Sequence, residues 1–357
     1  MKVGVIGCRL IGKRRAQVVR QSVKDQLVII ADVNESRLAE VGEEMECPIT
    51  RDWKDVVTCD DIDAVIVATP NKSLMPVAIA AFHHGKHVLC EKPPGRNYLE
   101  TEQMVSAAKK AGKVFKVGFN HSYHPAVWKA KEMCAAGKIG ELMFIRAIYG
   151  HGGRPGYDKE WRGNEELSGG GELLDQGVHL VDLCRWFLGD FHEAVGFTST
   201  YFWELGYFEK TDHLLGMSNS DKPLSLPGQQ LEDNAFILLR TRDGRITQFH
   251  TSWTQWKNLF IFEVMGHDGY LKVEGLGGSY GTEKLTIGRR RPESGPPIEE
   301  TFDFPGPDLS WLSEWEEFTS AIQAGRQPLA NGEDGLQTMR TLAAIYESAY
   351  TGKVIQL

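Results

Sequence analysis

The chain has 357 residues, 41% hydrophobic and 25% charged, an ordinary globular composition and enough length for two domains with sizeable cores. Its net charge of -8 argues against a nucleic-acid binder, which would carry a basic patch or stripe, but leaves room for an anionic small molecule at a local cluster. No apolar run approaches the roughly 20 residues of a membrane helix. The six cysteines, Cys8, Cys47, Cys59, Cys90, Cys134 and Cys184, are scattered without a CxxC pair or zinc spacing. Free thiols in a reducing compartment are therefore expected. The chain opens directly into a strand, with no room for a signal peptide, and the expected location is the cytoplasm.

Strands and helices alternate through the first third. Lys2 to Ile6 reads as a short apolar strand, Gly12 to Val23 as a helix and Leu27 to Asp32 as a second, β-branched strand. Glu35 to Glu46 reads as a helix, Ala64 to Ala68 as an unbroken apolar strand and Met75 to His84 as a helix. His87 to Cys90, Tyr98 to Ala111 and Val114 to Gly118 continue as strand, helix and strand. Such alternation implies right-handed crossovers and a parallel sheet covered on both faces, the doubly wound dinucleotide-binding architecture.

The pattern changes after about Asn120. Ala126 to Ala136 reads as a helix, Leu142 to Tyr149 as a strand and His151 to Gly171 as a Gly-rich polar loop. A helix then runs to about Leu188, followed by strand-like runs at Ala194 to Phe202, Asn234 to Thr241, Gly244 to Thr254, Leu259 to Gly266 and Tyr270 to Glu274. Asp243-Gly244 and Asp268-Gly269 are hairpin signals. Leu205 to Leu231 lacks periodicity and reads as a long loop. Trp311 to Ala324 and Gly335 to Tyr350 are late helices. The expected fold class is α/β: residues 1–122 form a doubly wound, Rossmann-type domain. Residues 123–357 form an α+β domain built on a large, mostly antiparallel, open-faced sheet.

Three stretches carry chemistry. Gly7 and Gly12 match the outer glycines of G-x-G-x-x-G, with Arg9 in place of the middle one and Leu10 and Ile11 completing the turn. Arg9 turns its guanidinium toward phosphate or toward solvent. Asp32, followed by Val33, ends the second strand twenty positions beyond Gly12, where a carboxylate bonds ribose hydroxyls and repels a 2′-phosphate. NAD is thus favoured over NADP, which nearby Arg37 leaves open. The second stretch is Glu91-Lys92-Pro93-Pro94, where Pro93 restricts Lys92 to extended geometry; taken alone, Lys92 reads as a solvated side chain. The third is Gly169-Gly170-Gly171-Glu172-Leu173-Leu174-Asp175-Gln176-Gly177-Val178-His179-Leu180-Val181-Asp182. Asp175 and His179, four apart, share one helix face, and the glycines suit close backbone approach. His moves protons near neutral pH, and a neighbouring carboxylate supports its cationic form.

Together these stretches resemble the glucose–fructose oxidoreductase / inositol dehydrogenase / MocA family, over nearly the whole chain. The resemblance implies a NAD-dependent oxidoreductase acting on a secondary hydroxyl of a sugar, inositol or sugar derivative. It makes Lys92 the contact to the reacting hydroxyl, His179 the general base and Asp175 a substrate-facing carboxylate. It adds Thr69, Pro70, Asn71 and Asn120 as cofactor contacts and Glu91 as a cofactor contact or a support to Lys92. Lys72 stands where many relatives have His, and Ser122 where they have Arg. No metal is implied, since Lys92 supplies the positive charge. Arg154, Tyr157 and Trp161 are the candidate substrate-selecting residues of the polar loop, which reads almost as well as a plain surface loop. The open-faced sheet implies a homodimer or homotetramer. A redox-cycling glycoside hydrolase or lyase would use the same residues, and a nucleotide-binding regulator the same fold.

Overall fold

The computed structural model describes residues 1–153, 160–201 and 231–357. The first sheet is built from β1 (Lys2–Ile6), β2 (Gln26–Ala31), β3 (Ile49–Thr50), β4 (Ala64–Val67), β5 (His87–Glu91) and β6 (Phe115–Gly118). Its order is β3-β2-β1-β4-β5-β6, every neighbouring pair parallel. Helices Leu10–Gln21, Glu35–Met45, Trp53–Thr58, Asn71–His83 and Tyr98–Ala111 connect these strands. Such strands are buried on both faces, which is why β4 reads as an unbroken apolar run and is buried throughout. Asn34, Asp52 and Asn97 cap their helices by accepting from Arg37, Lys54 and Glu100 N–H groups. The strand order reverses at β1, so connections leave to opposite sides beyond the carboxyl ends of β1 and β4.

The chain divides into two compact units, Met1–Tyr123 with Leu309–Met339, and His124–Asp308 with Arg340–Leu357. Residues 309–339 thus group with the first unit; the sequence reading assigns them to residues 123–357, with a C-terminal helix that the family resemblance packs back on the first domain. The reason is hydrophobic. Helix Ser310–Ala324 contributes Trp311, Trp315 and Phe318 to the core made by Val3, Val5, Val19, Ile66 and Leu89.

The second unit holds a nine-stranded sheet of β7 (Leu142–Gly150), β8 (Phe191–Ser199), β9 (Asn234–Thr241), β10 (Ile246–Ser252), β11 (Leu259–Gly266), β12 (Gly269–Glu274), β13 (Glu283–Arg289), β14 (Ile298–Phe304) and β15 (Ile355–Gln356). Its order is β14-β13-β12-β11-β7-β10-β9-β8-β15. Among the described residues β7 and β10 pair parallel and the other neighbours antiparallel. Both expected hairpins form, although Gly269 already belongs to its strand, paired with Gly266 across the turn. β3, β13, β14, β15 and helix Trp53–Thr58 escape the sequence reading because they are two to seven residues long or, like β14, mostly exposed and polar. Most of the stretch read as a long loop, 205–231, lies outside the described residues.

Arg15, on the first helix, is fully enclosed. Its Nε donates to Glu91 Oε1 at 2.7 Å and its Nη1 to Glu314 Oε2 at 2.6 Å. Burial alone would lower its pKa, but Glu314 and Glu91 more than reverse that and hold it charged. Arg15→Met would strand two buried carboxylates, so a loss of about 3–5 kcal/mol of stability is expected. The urea unfolding midpoint checks this, and an unchanged midpoint would refute it.

Candidate functional site

The nucleotide turn follows directly from the fold. Gly7 has φ +88°, and a Cβ there would lie 2.4 Å from the Ala68 carbonyl oxygen. A Cβ on Gly12 would lie 1.8 Å from the Gly7 carbonyl oxygen. Both glycines are therefore required for the turn to pass between β1 and β4. Arg9 occupies the N-cap position in extended backbone and is exposed, which is how a side chain is tolerated where the motif has its middle glycine. The helix beyond it starts at Leu10, its N-terminal N–H groups forming the kind of anion site that holds a pyrophosphate. Leu10 and Val33 are 82% and 78% exposed beside this turn. Ile11 is partly buried.

Asp32 lies just past β2 and is buried. Its Oδ2 accepts from Cys8 N–H and its Oδ1 from Asn34 N–H, both at 2.8 Å, and Arg37 Nη1 stands 3.2 Å from Oδ1. Burial would raise its pKa; the two backbone donors and Arg37 outweigh that and keep the carboxyl below its usual range. Arg37 is therefore tied to Asp32 rather than merely solvated. Thr69 and Pro70 follow β4, and Asn71 is the first residue of the next helix, buried at its N-terminus. These residues fit a dinucleotide: a glycine cradle without room for Cβ, a helix N-terminus and an ionised carboxylate.

Lys92 is the residue after β5, partly buried at the carboxyl edge of the same sheet. Glu91 does not face outward with it but turns inward to Arg15. Asn120 is buried in a 3₁₀ turn, where its amide donates to Ser310 Oγ at 2.9 Å and its oxygen meets His121 Nδ1 at 3.2 Å. The geometry makes Asn120 a brace for that turn.

In the second unit the stretch read as a polar loop carries, among its described residues, a 3₁₀ turn Trp161–Gly163 and helix Glu165–Ser168 ended by Gly169 at φ +84°. Arg154 and Tyr157 lie outside the described residues. The helix of Asp175 and His179 is not uniform. Leu173–Gly177 forms a π turn, and regular α-helix begins at Val178 and ends at Leu188. The wider turn alters the four-residue stacking read from the sequence. Asp175 is left partly exposed while His179 is buried. Such bulges recur at functional sites.

Asp175 Oδ2 accepts from Arg162 Nε at 3.1 Å, and the Arg162 guanidinium stacks on Trp161 at 4.6 Å. The Trp161 face read as a sugar platform is thus shared with an arginine. His179 meets the edge of Tyr149, ring centroids 6.2 Å apart. Tyr149 packs on Phe260 and Tyr280 and donates its hydroxyl proton to Tyr280, which also accepts from Gln176 Nε2 at 3.3 Å. Burial pushes the Tyr149 phenol well above its ordinary pKa, so this wall stays neutral. Glu172 Oε1 accepts from Thr251 Oγ1 at 2.6 Å. Gln176 and Glu172 lie inside the stretch singled out from the sequence. Tyr149 and Tyr280 carry no local signal, since only the sheet brings them here. Among the described residues no group of three His, Cys, Asp or Glu side chains converges as a metal site, and no helix is long and apolar enough to cross a membrane.

Residues 1–119 match the family model described as "Oxidoreductase family, NAD-binding Rossmann fold", and residues 127–272 match "GFO/IDH/MocA C-terminal domain". A 1,5-anhydro-D-fructose reductase of Ensifer adhaerens is 31% identical over 85% of this chain and 82% of its own length. A levoglucosan dehydrogenase of Pseudarthrobacter phenanthrenivorans is 28% identical over 90% and 87%. A solved levoglucosan dehydrogenase, in complex with NADH and L-sorbose, superposes with TM-score 0.85 at 23% identity, covering 100% of this chain and 98% of that one, a likeness of fold. The chain belongs to the GFO/IDH/MocA family of oxidoreductases. Its first unit is the NAD-binding Rossmann domain of that family.

Gly12→Ala is expected to weaken NAD binding by at least about tenfold, equivalent to about 1.4 kcal/mol, because the new methyl displaces the turn. Calorimetric titration with NADH, on protein shown folded by circular dichroism, checks it; an unchanged Kd would count against the turn as the cofactor cradle.

Proposed function

We propose that this enzyme oxidises a secondary hydroxyl of a sugar, inositol or sugar derivative to the ketone with NAD, or runs the reverse reduction. The observation that carries the reading is the place of Lys92, at the carboxyl edge of the sheet whose first turn holds Gly7 and Gly12. An ammonium at that edge stabilises a developing alkoxide. The His179 imidazole takes the hydroxyl proton as general base. Asp175, held by Arg162, receives hydrogen bonds from neighbouring substrate hydroxyls. When bound, the nicotinamide supplies the hydride acceptor, and the chain's own part is orientation and charge. The names of the two relatives, a dehydrogenase and a reductase of sugars, support a carbohydrate substrate. The ionised Asp32 supports NAD; an Arg37 released from it would be the route to NADP.

The test is formation of reduced nicotinamide across free sugars, anhydro sugars, inositols, glycosides and nucleotide-linked sugars, with NADP in parallel. Lys92→Ala is expected to lower kcat by about 100- to 1,000-fold, as loss of an oxyanion donor does, and His179→Ala by about 100- to 10,000-fold. Full turnover in either variant would overturn its assigned role. Glycoside cleavage with no net reduced nicotinamide would favour the redox-cycling hydrolase or lyase.

We also propose a homodimer or homotetramer formed through the outer face of β8, β9 and β10. Phe197, Phe236, Leu238 and Ile246 stand exposed on these neighbouring strands, apolar side chains of the kind that mark subunit contact. Light scattering is expected to give an oligomer for the parent and a smaller species for Leu238→Asp. A monomeric parent would refute the proposal.

A further inference from the structure

The first backbone N–H groups of a helix have no partner within it. At the start of the helix carrying His179, three successive ones turn to a single distant residue, Glu232. Gly171 N–H lies 3.1 Å from each Glu232 carboxylate oxygen, Glu172 N–H 2.9 Å from the Glu232 carbonyl, and Leu173 N–H 3.1 Å from Oε1. Tyr346, in helix Gly332–Thr351, donates its hydroxyl to the same Oε1 at 2.7 Å. A Cβ on Gly171 would lie 2.0 Å from the Glu232 carbonyl oxygen, and one on Gly170 2.6 Å from the Tyr346 hydroxyl. The glycine run is thus the space that Glu232 and Tyr346 need. No local side chain caps this helix, and the Glu172 carboxylate is turned to Thr251.

We propose that Glu232 is a positioning residue that seats the first turn of the helix bearing Asp175 and His179, in place of the cap the local sequence lacks. The inference rests on the proposed role of His179 for its catalytic consequence. Among the described residues, Oε1 receives Gly171, Leu173 and Tyr346, while Oε2 receives Gly171 alone. A carboxylic acid protonated on Oε2 therefore keeps every acceptor bond at Oε1. Burial pushes the carboxyl up to about 7, against the pull of Tyr346 and the backbone donors. Among the described residues three titratable groups adjoin it: Tyr346 from the last helix, raised well above its ordinary value and so neutral, Glu172 on the seated helix, and Asp233 next in sequence. A carboxyl raised in the folded state favours its protonated form there. The stability it contributes is full below the ordinary value of 4.5 and is lost as pH rises through about 7.

The test is hydrogen exchange by mass spectrometry on the full-length chain, corrected for intrinsic rates, from about pH 6 to about pH 8, alongside kcat and KM. In Glu232→Ala, amides 171–179 are expected to exchange at least about tenfold faster, with kcat down about tenfold and KM for NAD unchanged. Glu232→Gln, which retains an oxygen at Oε1, is expected to restore both and to abolish the rise in exchange that the parent shows with pH. Parent-like exchange in Glu232→Ala, or equal loss of protection in β1 and β4, would overturn the proposal. Should Glu232→Ala not fold, Tyr346→Phe removes one donor and is expected to speed exchange at 171–179 alone; no change there also overturns it. His179→Ala separates the two claims: full turnover defeats the base assignment, while exchange in the Glu232 variants still decides the seat.

Discussion

The burial of Arg15 between two carboxylates is the constraint on which the first unit turns. A guanidinium and two carboxylates leave water together, so the ion pairs mainly offset their own desolvation. What they impose is geometry. Arg15 belongs to the helix that follows the glycine turn, Glu91 ends the strand that leads into Lys92, and Glu314 comes from a helix near the other end of the chain. Displacing any one leaves an unpaired buried charge. The fit extends to β6, where a Cβ on Gly118 would lie 2.8 Å from Arg15 Nη2. The strand end carrying Lys92 is thereby locked to the nucleotide turn.

The second unit fixes its ionisable groups by different means. His179 is packed against a neutral aromatic wall, and Asp175 is held by a guanidinium that is itself stacked on an indole. Neither group relies on an exposed ion pair, whose worth would be small and salt-dependent. Asp32 and Arg37 follow a third pattern in the first unit. Two backbone N–H groups orient the carboxylate, and the arginine completes its charge balance from a partly exposed position. In each case an ionisable side chain is held in place by groups it cannot leave without a desolvation, packing or hydrogen-bond cost.

Periodicity and local chemistry made much of this legible in advance. Tyr98–Ala111, Asn234–Thr241 and Leu259–Gly266 run as read because each spans several turns or alternations and ends at a clear signal. β3 and β14 gave no such signal, one being two residues long and the other mostly solvated. The residues brought forward as chemistry were those embedded in local motifs: Gly7, Gly12, Asp32, Lys92, Asp175 and His179. Those missed, Arg15, Tyr149, Tyr280 and Glu232, act through partners far away in the chain and resemble ordinary interior residues when read in order.

By itself the sequence determined the class of architecture, the parallel character of the first sheet and the family. The architecture follows from spacings of a few residues that sterics and hydrogen bonding translate directly into strands, helices and turns, and the family from the resemblance of its motifs. Only the tertiary structure decided that residues 309–339 are the segment grouped with the first unit, that Glu91 faces inward to Arg15, and that Asp175 lies in a π turn ahead of the regular helix of His179. It also decided that Glu232 occupies the space left by Gly171, and the Tyr346 hydroxyl that left by Gly170. Each of these depends on which distant side chain occupies a buried position, and that is fixed by packing and desolvation across the whole fold rather than by any local pattern.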